Sequence, residues 1–325
     1  MTDTLTSALL DTTTTVRVRP RYEGSNICTW IGFKHVNYLV EEAVLEHFRQ
    51  SGTPARALFE DHALCVDLVS LDTRILHALH MDDEATATVV PATKAADDEL
   101  AFAVTLTVER GGEVLKAVVS KVRVALRLDE RDGPGDPAPA ALSPYVTTDI
   151  ARPASSPVPL VGPLGVNRGT SGGDPVLAQL TAGRNAFAWR WRIPYPYCHF
   201  TQRLQMSGYL RQMEEVVDLF LAERGISIRT LLTDRNWIPV VPRSTIELVG
   251  EALMEEDLYT VFTVEDVFKD FTYTARMDCF VVRDGELVLT ATGSITHGYA
   301  VIENRRDWSL VGFDDTVLAA LRGRN

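Results

Sequence analysis

Along the chain, apolar residues first alternate with polar ones, as in a strand, and then recur at helical spacing. This succession of a strand pattern and a helix pattern occurs twice. Residues 16–19 and 189–192 alternate apolar and basic side chains, as half-buried strands do. Each alternating run is followed by a longer segment, 36–48 or 209–221, whose apolar residues recur at helical spacing. The pattern therefore predicts a strand and then one long, broadly apolar helix near the start of each half.

The remainder of each half alternates like a sheet. Predicted strands cover 63–71, 85–90, 102–109 and 114–128 in the first half, and 237–241, 258–267, 276–282 and 287–299 in the second. Tight turns that contain glycine join the last two strands of each half, which indicates a hairpin. We therefore expect antiparallel sheets in both halves.

The two halves are related by one constant shift in residue number, called the repeat offset below. It relates Glu41 to Glu214, and it also relates Gly52, which is placed to cap the first long helix, to Gly225. Identical pairs are few, but they keep their order and spacing without a gap. That behaviour is typical of a duplicated domain.

The duplication predicts two globular domains joined by a linker. We place the N-terminal domain at 14–128 and the C-terminal domain at 184–310. The intervening segment, 129–183, is rich in proline, glycine, alanine and serine, which favours a linker with little structure of its own. A chain of 325 residues is long enough for each domain to bury its own core.

Each half thus consists of a strand, a loop, one long apolar helix and several antiparallel strands, and this order resembles the hotdog fold. The duplication makes the chain similar to double-hotdog proteins. The resemblance is carried by two helix starts, NICTWIGFKHVNYLVEEAVLEHF and PYCHFTQRLQMSGYLRQMEEVVDLF. It implies an α+β chain of two tandem hotdog domains, each a long helix wrapped by a curved antiparallel sheet, which together form a pseudo-dimer.

The family that the chain resembles consists mostly of acyl-CoA or acyl-carrier-protein thioesterases, together with dehydratases and other acyl-processing enzymes. The resemblance implies a site between the two hotdogs, where the helix start of one faces the helix of the other. Free backbone N–H groups at a helix start polarise a thioester carbonyl, and a nearby carboxylate or imidazole activates water.

One common thioesterase version has an aspartate in the loop at a set distance before the acidic residue of the helix. Counted back from Glu41 and Glu214, that position holds Asn26 in the first half and His199 in the second, so the usual carboxylate is absent from both. His199 is a candidate base, and Asn26 is a candidate to orient water or to donate to the oxyanion. His35, at the start of the first helix, is a second candidate base. The plainer interpretation is that these are capping or partly buried histidines.

Glu41 and Glu214 lie at the border of the apolar helix face. A carboxylate placed there is either desolvated, with a raised pKa that suits acid–base catalysis, or simply solvated at the edge. Asn37, on the first helix, is a further candidate donor to the oxyanion. These three residues complete the catalytic candidates.

Candidate substrate-binding residues surround the helix starts and the strands beside them. Arg19 and Arg192 suit the phosphates of CoA or of a pantetheine arm, although exposed strand faces often carry arginine without any ligand. The last predicted strand contains His297, which could face the cleft. The remaining candidates lie at the helix starts: Gly32, Phe33 and Tyr209.

The amino-acid composition limits the classes of partner that the protein is expected to bind. The net charge is −12 with no block of Lys or Arg, which argues against nucleic acid and anionic membranes but permits a basic carrier-protein surface. Four scattered cysteines without metal-ligand spacing, no leader peptide and no apolar span predict a cytoplasmic protein without a metal. No phosphate-binding loop or dinucleotide fingerprint occurs, so we expect no cofactor.

Three functions remain open. The first is hydrolysis of an acyl thioester bound to CoA or to a carrier protein. The second is a dehydratase, cyclase or acyltransferase/decarboxylase of a polyketide or other natural-product pathway, acting in the same cleft. The third is a non-catalytic binder of a hydrophobic ligand or an acyl carrier. Either a monomer with an internal pseudo-dimer or a homodimer is consistent with the sequence.

Overall fold

The computed structural model describes residues 8–131, 133–150, 158–160 and 173–323. The chain divides into two compact units, Met1–Ile150 and Ala151–Asn325, which are called the first and the second unit below. Each unit contains one long helix and an antiparallel sheet, so the predicted α+β class is confirmed.

The first unit has a five-stranded antiparallel sheet in the order β1-β3-β4-β5-β2, and the short strand β6 pairs in parallel with β5. A 3₁₀ turn, Tyr22–Gly24, precedes the long helix α1. The elements are β1 (Thr14–Val18), α1 (Phe33–Gln50), α2 (Ala55–His62), β2 (Leu64–Ile75), β3 (Ala85–Pro91), β4 (Leu100–Arg110), β5 (Glu113–Leu128) and β6 (Val146–Thr147).

The second unit repeats this arrangement with the order β8-β10-β11-β12-β9, and β12 also pairs with the short strands β7 and β13. A 3₁₀ turn, Tyr195–Tyr197, again precedes the long helix. The elements are β7 (Val158–Pro159), α3 (Pro175–Thr181), β8 (Ala186–Arg192), α4 (Met206–Glu223), α5 (Ile228–Arg235), β9 (Trp237–Leu248), β10 (Asp257–Phe268), β11 (Thr272–Arg283), β12 (Glu286–Glu303), β13 (Asp307–Leu310) and α6 (Asp315–Leu321).

The structure keeps the repeat offset that the sequence shows. Helices α1 and α4 have 18 residues each and correspond end to end at that offset, as do α2 and α5. Backbone conformations recur as well: Gly52 and Gly225, which follow the long helices, have φ of 76° and 74°. The left-handed conformation at these two glycines is the one predicted for helix C-termini.

The long helices form because their apolar residues face the sheet at helical spacing. In α1 the fully buried residues include Val36, Val40, Val44 and Phe48, and the ring of Phe48 lies 5.9 Å from that of Phe102 on β4. Burying one such side chain contributes roughly 1.5–3 kcal/mol, so this stripe favours packing of the helix on the sheet.

The short helices α2, α5 and α6 were not anticipated from the sequence. Helices α2 and α5 begin shortly after each glycine cap, and β2 and β9 extend beyond the predicted strands. Helix α2 ends at Ala63 with φ of 53°, a left-handed conformation that alanine rarely adopts. Alanine at position 63 therefore gives no sequence signal for the helix end. The repeat position of Ala63 is Asn236, which has φ of 56°, and asparagine is common in this conformation at helix ends.

The predicted linker contains β6, β7 and α3, which pair or pack with the sheets of their own units. The exact domain bounds given above stay predictions.

The two cores differ in a buried ion pair. In the first unit the guanidinium of Arg127 is fully buried, and its Nε donates to Asp67 Oδ2 at 2.6 Å. The repeat positions in the second unit hold Ala300 and Val240, so the fold does not require this pair.

Candidate functional site

The loop before α1 folds back on itself, and its backbone hydrogen bonds fix the position of the first residues of α1. The backbone N–H of Asn26 donates to the carbonyl of Trp30 at 2.7 Å, and the N–H of Gly32 donates to the carbonyl of Gly24 at 2.9 Å. Gly32 is the N-cap residue, and it provides no side chain to cap the first turn. Backbone N–H groups at such a start are donors for an anion or a polarised carbonyl.

Asn26 lies directly against this helix start. A Cβ atom on Gly32 would be 2.9 Å from Asn26 Oδ1, so only glycine allows the amide to lie so close. Asn26 is itself exposed, whereas the next residue of the helix, Phe33, is buried. The structure therefore brings Asn26 and Gly32 together, while Phe33 belongs to the core.

His35 is enclosed by the same loop. Its side chain is 12% exposed, and its Nε2 lies 3.8 Å from Glu23 Oε1. The ring packs edge-on against Tyr38, with centroids 5.2 Å apart. His35 is thus a shielded imidazole beside the helix start, with an acidic neighbour in reach.

Glu41 lies two turns after the start of α1 and has the most unusual carboxyl group of the helix. The residue is only half-buried, but its Oε2 is completely shielded and has no hydrogen-bond partner within the described part of the chain. Burial, with a smaller contribution from the charge of Glu42, raises the pKa of Glu41 to about 7. Glu42 itself is exposed and forms a 3.5 Å ion pair with Arg49.

Asn37 is held in a buried polar network. Thr73 Oγ1 donates to Asn37 Oδ1 at 2.6 Å, and Asn37 Nδ2 donates to the carbonyl of Phe33 at 2.9 Å. Ser120 Oγ lies 2.7 Å from Thr73 Oγ1, which joins α1 to β2 and β5. This amide therefore ties the helix to its sheet.

The candidates on α1 do not form one cluster. A rise of about 1.5 Å per residue places Glu41 about 9 Å along the helix from His35 and about 12 Å from Phe33. These separations run along the helix axis between backbone positions, and the side chains of a helix point back toward its start.

In the second unit the helix start contains a serine–histidine pair. His199 is exposed, has a left-handed backbone with φ of 50°, and its Nε2 lies 2.9 Å from Ser207 Oγ in the first turn of α4. Sequence reasoning missed Ser207, because a serine near a helix start is normally interpreted as a capping residue. Tyr209 is buried in the core, and Glu214 is half-buried.

The remaining candidates lie elsewhere in their units. Arg19 forms an ion pair with Glu84 at the sheet edge, and Arg192 Nη2 lies 2.9 Å from Glu255 Oε1. Both arginines are exposed. His297 is buried inside the second unit with neither ring nitrogen hydrogen-bonded to any described residue.

Within the described ranges no group of three or more His, Cys, Asp or Glu residues could hold a metal ion. No helix there is long and apolar enough to span a membrane. No protein-family model matches the chain, and no curated protein sequence matches it either.

Solved structures do match over nearly the whole chain. A protein assigned as an oleoyl thioesterase from Lactobacillus plantarum aligns with a TM-score of 0.57 at 8% identity, covering 90% of this chain and 97% of that one. The 12:0-ACP thioesterase from Umbellularia californica aligns with a TM-score of 0.56 at 10% identity, covering 88% and 94%. The chain has the tandem hotdog fold of these proteins.

An acyl-ACP thioesterase from Bacteroides thetaiotaomicron matches in the same way, with a TM-score of 0.52 at 11% identity, covering 88% of this chain and 97% of that one. The fold predicted from the two helix starts is therefore confirmed. At these identities the matches describe the fold and not the reaction. The residue roles and the expected placement of a site between the hotdogs stay predictions.

Proposed function

We propose that the protein hydrolyses an acyl thioester and that Glu41 is the general base. The observation that carries this proposal is the shielded, unpaired Oε2 of Glu41 on the long helix of a thioesterase-like fold. A carboxyl group whose pKa is raised to about 7 is half ionised near neutral pH, where a general base is most effective.

In this mechanism the carboxylate of Glu41 takes a proton from a water molecule as the water oxygen attacks the thioester carbon. The carbon–sulfur bond then breaks, the carboxylic acid forms, and the thiolate leaves and is protonated by the group that received the proton. Glu41 returns to its carboxylate form. The half-buried position shields the charge from bulk water, which strengthens its attraction for the proton.

The thiol carrier is CoA or a carrier protein. Two of the structurally similar proteins bear names that specify acyl-ACP substrates, which supports a carrier protein here without requiring one. The Ser207–His199 contact supports a second candidate from the wider class of acyl-processing enzymes. In it Ser207 accepts the acyl group, His199 takes its proton, and the acyl group then passes to an acceptor other than water.

The test is release of free thiol from short, long and aromatic acyl-CoAs and acyl-pantetheines by the full-length chain. Glu41→Gln keeps the size of the side chain and removes the base, so we expect kcat to fall by roughly 10²-fold or more. Glu214→Gln is the matched control, because it makes the same change at the repeat position. Glu42→Gln controls for loss of charge beside the site, and we expect both controls to stay within about threefold of the unaltered protein.

A Glu41→Gln variant that folds and keeps its turnover would remove Glu41 from the mechanism. Loss of turnover in Ser207→Ala and His199→Ala, together with an acyl adduct on Ser207 detected by mass spectrometry, would move the reaction to the second unit. Failure to release thiol from any thioester would exclude hydrolysis of the classes tested.

A further inference from the structure

The second unit carries a row of aromatic side chains along the edge of its sheet, and the proposed mechanism does not use them. Trp189 and Trp191 lie on β8, and Tyr197 lies in the 3₁₀ turn between β8 and α4. The ring centroids of Trp189 and Trp191 are 6.5 Å apart, and those of Trp191 and Tyr197 are 5.5 Å apart. These spacings are typical of interacting aromatic rings. The three side chains are called the aromatic row below.

The aromatic row is open to solvent. Strand β8 is the last strand in the order of its sheet, and among the described residues it pairs with β10 alone. Trp189, Trp191 and Tyr197 are each half-buried, so part of each side chain is accessible from outside. The row is therefore a surface that a ligand can reach without entering the core.

Helix α4 packs behind the row. Thr260 on β10 lies directly opposite Trp189, and its hydroxyl donates to Gln212 Oε1 on α4 at 3.3 Å. Both Thr260 and Gln212 are fully buried. Because directly opposite residues share one face of a sheet, and because residues two apart on a strand do as well, Trp189 and Trp191 lie on the face that α4 covers. The row is thus supported from within the unit and exposed along the sheet edge.

Arg211 on α4 extends the row by one more planar group. Its guanidinium carbon lies over the ring of Tyr197, 5.2 Å from the ring centroid. Arg211 Nε donates to Glu215 Oε1 at 2.7 Å, one turn further along the helix. The charge of the guanidinium is therefore balanced within α4, and what it adds to the row is a flat surface.

The row ends at the start of α4, beside the contact between Ser207 and His199. A Cβ atom on Gly208, the residue after Ser207, would lie 3.1 Å from Tyr197 Cβ. Arg211 lies one helical turn after Ser207, so the two residues are neighbours on the helix surface. The row thus adjoins the pair of residues that supports the second candidate function.

Comparison with the first unit shows that the fold does not need the aromatic row. At the repeat offset the two tryptophans correspond to Val16 and Val18 on β1, and Tyr197 corresponds to Gly24. Strand β1 pairs with β3 in the same register in which β8 pairs with β10. Two valines and a glycine are therefore sufficient at these positions. The second unit has three large aromatic side chains there, at an exposed edge.

The chemistry of the row favours one class of ligand. Contiguous aromatic surface that is left in water is typical of a binding site, since covering it is favourable. A planar aromatic ring matches the row best, because it stacks on aromatic faces and on a guanidinium plane. A saturated ring of similar size lacks this electrostatic match. A carboxylate or phosphate gains little, because the neighbouring cation, Arg211, is already paired with Glu215.

We propose that Trp189, Trp191 and Tyr197, with Arg211 beside them, form a binding site for a planar aromatic ring. Two parts of an acyl-CoA carry such a ring, an aromatic acyl group and the adenine of CoA, and the experiment has one arm for each. The inference goes beyond the proposed hydrolysis, since it concerns binding in the second unit alone and does not require that the bound ring reach Glu41.

The test measures affinities for pairs of probes that differ in one planar ring, by calorimetry on the full-length chain. In the first arm the pantetheine amides of benzoic and naphthoic acid, which cannot be hydrolysed as thioesters, are compared with the amides of the fully saturated acids. In the second arm adenosine bisphosphate, the nucleotide part of CoA, is compared with the ribose bisphosphate that lacks the base. We expect the planar probes of at least one arm to bind about fivefold or more tightly than their partners, through stacking on the row.

Two variants remove the aromatic row. Trp189→Val with Trp191→Val installs the residues that the first unit has at these positions. Trp189→Leu with Trp191→Leu keeps more of the apolar volume and tests the site if the valine variant fails to fold. Trp308→Val is the matched control, because it makes the same change at an exposed tryptophan on β13. We expect the preference for planar probes to disappear in the two double variants and to persist in the control.

Equal affinity within every pair in the unaltered protein would overturn the inference, as would a preference that survives the double variants. Equal affinities together with a loss of stability in the valine variant would show that the row only packs the sheet edge, and would also overturn it. A preference in one arm alone identifies the ring as that of the acyl group or as adenine.

Thiol release from the corresponding thioesters separates this inference from the proposed function. Hydrolysis without a preference for planar probes leaves the thioesterase proposal standing alone. A preference without hydrolysis leaves the ring-binding site standing alone.

Discussion

A Cβ atom on Gly24 would lie 2.9 Å from Cγ of His35, so the imidazole occupies the space that a side chain at position 24 would fill. At the repeat positions in the second unit, Gly24 is replaced by the large Tyr197 and His35 by Gly208, which has no side chain. There the large residue is on the loop, and a Cβ on Gly208 would lie 3.1 Å from that of Tyr197. The loop–helix contact is thus preserved in both units, but only the first has room for a histidine on the helix.

This contact predicts strong coupling between positions 24 and 35. Gly24→Ala should destabilise the chain by about 1–3 kcal/mol, because the new methyl group overpacks the imidazole. His35→Gly copies the second unit and costs about 1 kcal/mol through helix propensity alone. The double variant should recover most of the loss caused by the methyl group. Denaturant unfolding of the four proteins gives the coupling energy.

Simple additivity of the two changes, within about 0.5 kcal/mol, would show that the loop moves away from the helix without cost. Gly225→Ala is a useful contrast. Its φ of 74° imposes backbone strain, yet a Cβ there meets no atom within 4 Å, so its cost should not depend on position 35.

Much of the fold follows from local signals in the chain. Helices α1 and α4 and the closing hairpins were predictable because apolar spacing and glycine turns act over short distances. Helices α2 and α5 were not, because each buries a single residue, Leu58 or Leu231, and therefore shows no apolar stripe. The repeat offset was the most useful signal, since it appears again in helix bounds and φ angles.

The candidate site was less accessible to sequence reasoning. The border position of Glu41 was visible in the helical pattern, and its repeat partner Glu214 shares that position. What distinguishes the two is the shielding of Glu41 Oε2, which depends on packing around the helix. The contact between His199 and Ser207 depends on the left-handed backbone at His199 and joins two residues of different elements, so no local pattern predicted it.

Glu41 gives a specific dependence of stability on pH. Its pKa is raised from 4.5 to about 7 on folding, so between these values the unfolded chain has lost a proton that the folded chain keeps. The stabilisation is fully present below pH 4.5 and is lost as the pH rises through about 7, at up to about 1.4 kcal/mol per pH unit. Glu41→Gln should therefore flatten this decline and stabilise the chain at pH 8.

Denaturant unfolding between pH 4.5 and 8 measures the effect, and Glu42→Gln is the control because that residue is exposed. The activity should respond in the opposite direction, since the base must be ionised: kcat/KM should rise with pH and level off above about 7. Identical stability profiles for Glu41→Gln and Glu42→Gln would mean that Glu41 is solvated in the folded chain.

The buried His297 gives a dependence of folding stability on pH that is opposite in direction to that of Glu41. Burial lowers its pKa from 6.5 to about 3, so below pH 6.5 the unfolded chain takes up a proton that the folded chain does not bind. The facing groups, Tyr273 and Tyr299, are uncharged throughout this range and cannot offset the effect. The stabilisation by neutral His297 is present above pH 6.5 and is lost as the pH falls toward 3, at up to about 1.4 kcal/mol per pH unit.

His297→Val, which installs the residue of the first unit, should remove this loss and make the chain less sensitive to acid between pH 6.5 and 4.5. Since the Glu41 contribution grows as the pH falls through the same interval, the two effects partly cancel in the unaltered protein. The clean measurement therefore compares Glu41→Gln with the double variant that also carries His297→Val. A parallel decline in these two proteins would show that His297 gains a proton in the folded state, through water or a rearrangement of the side chains around it.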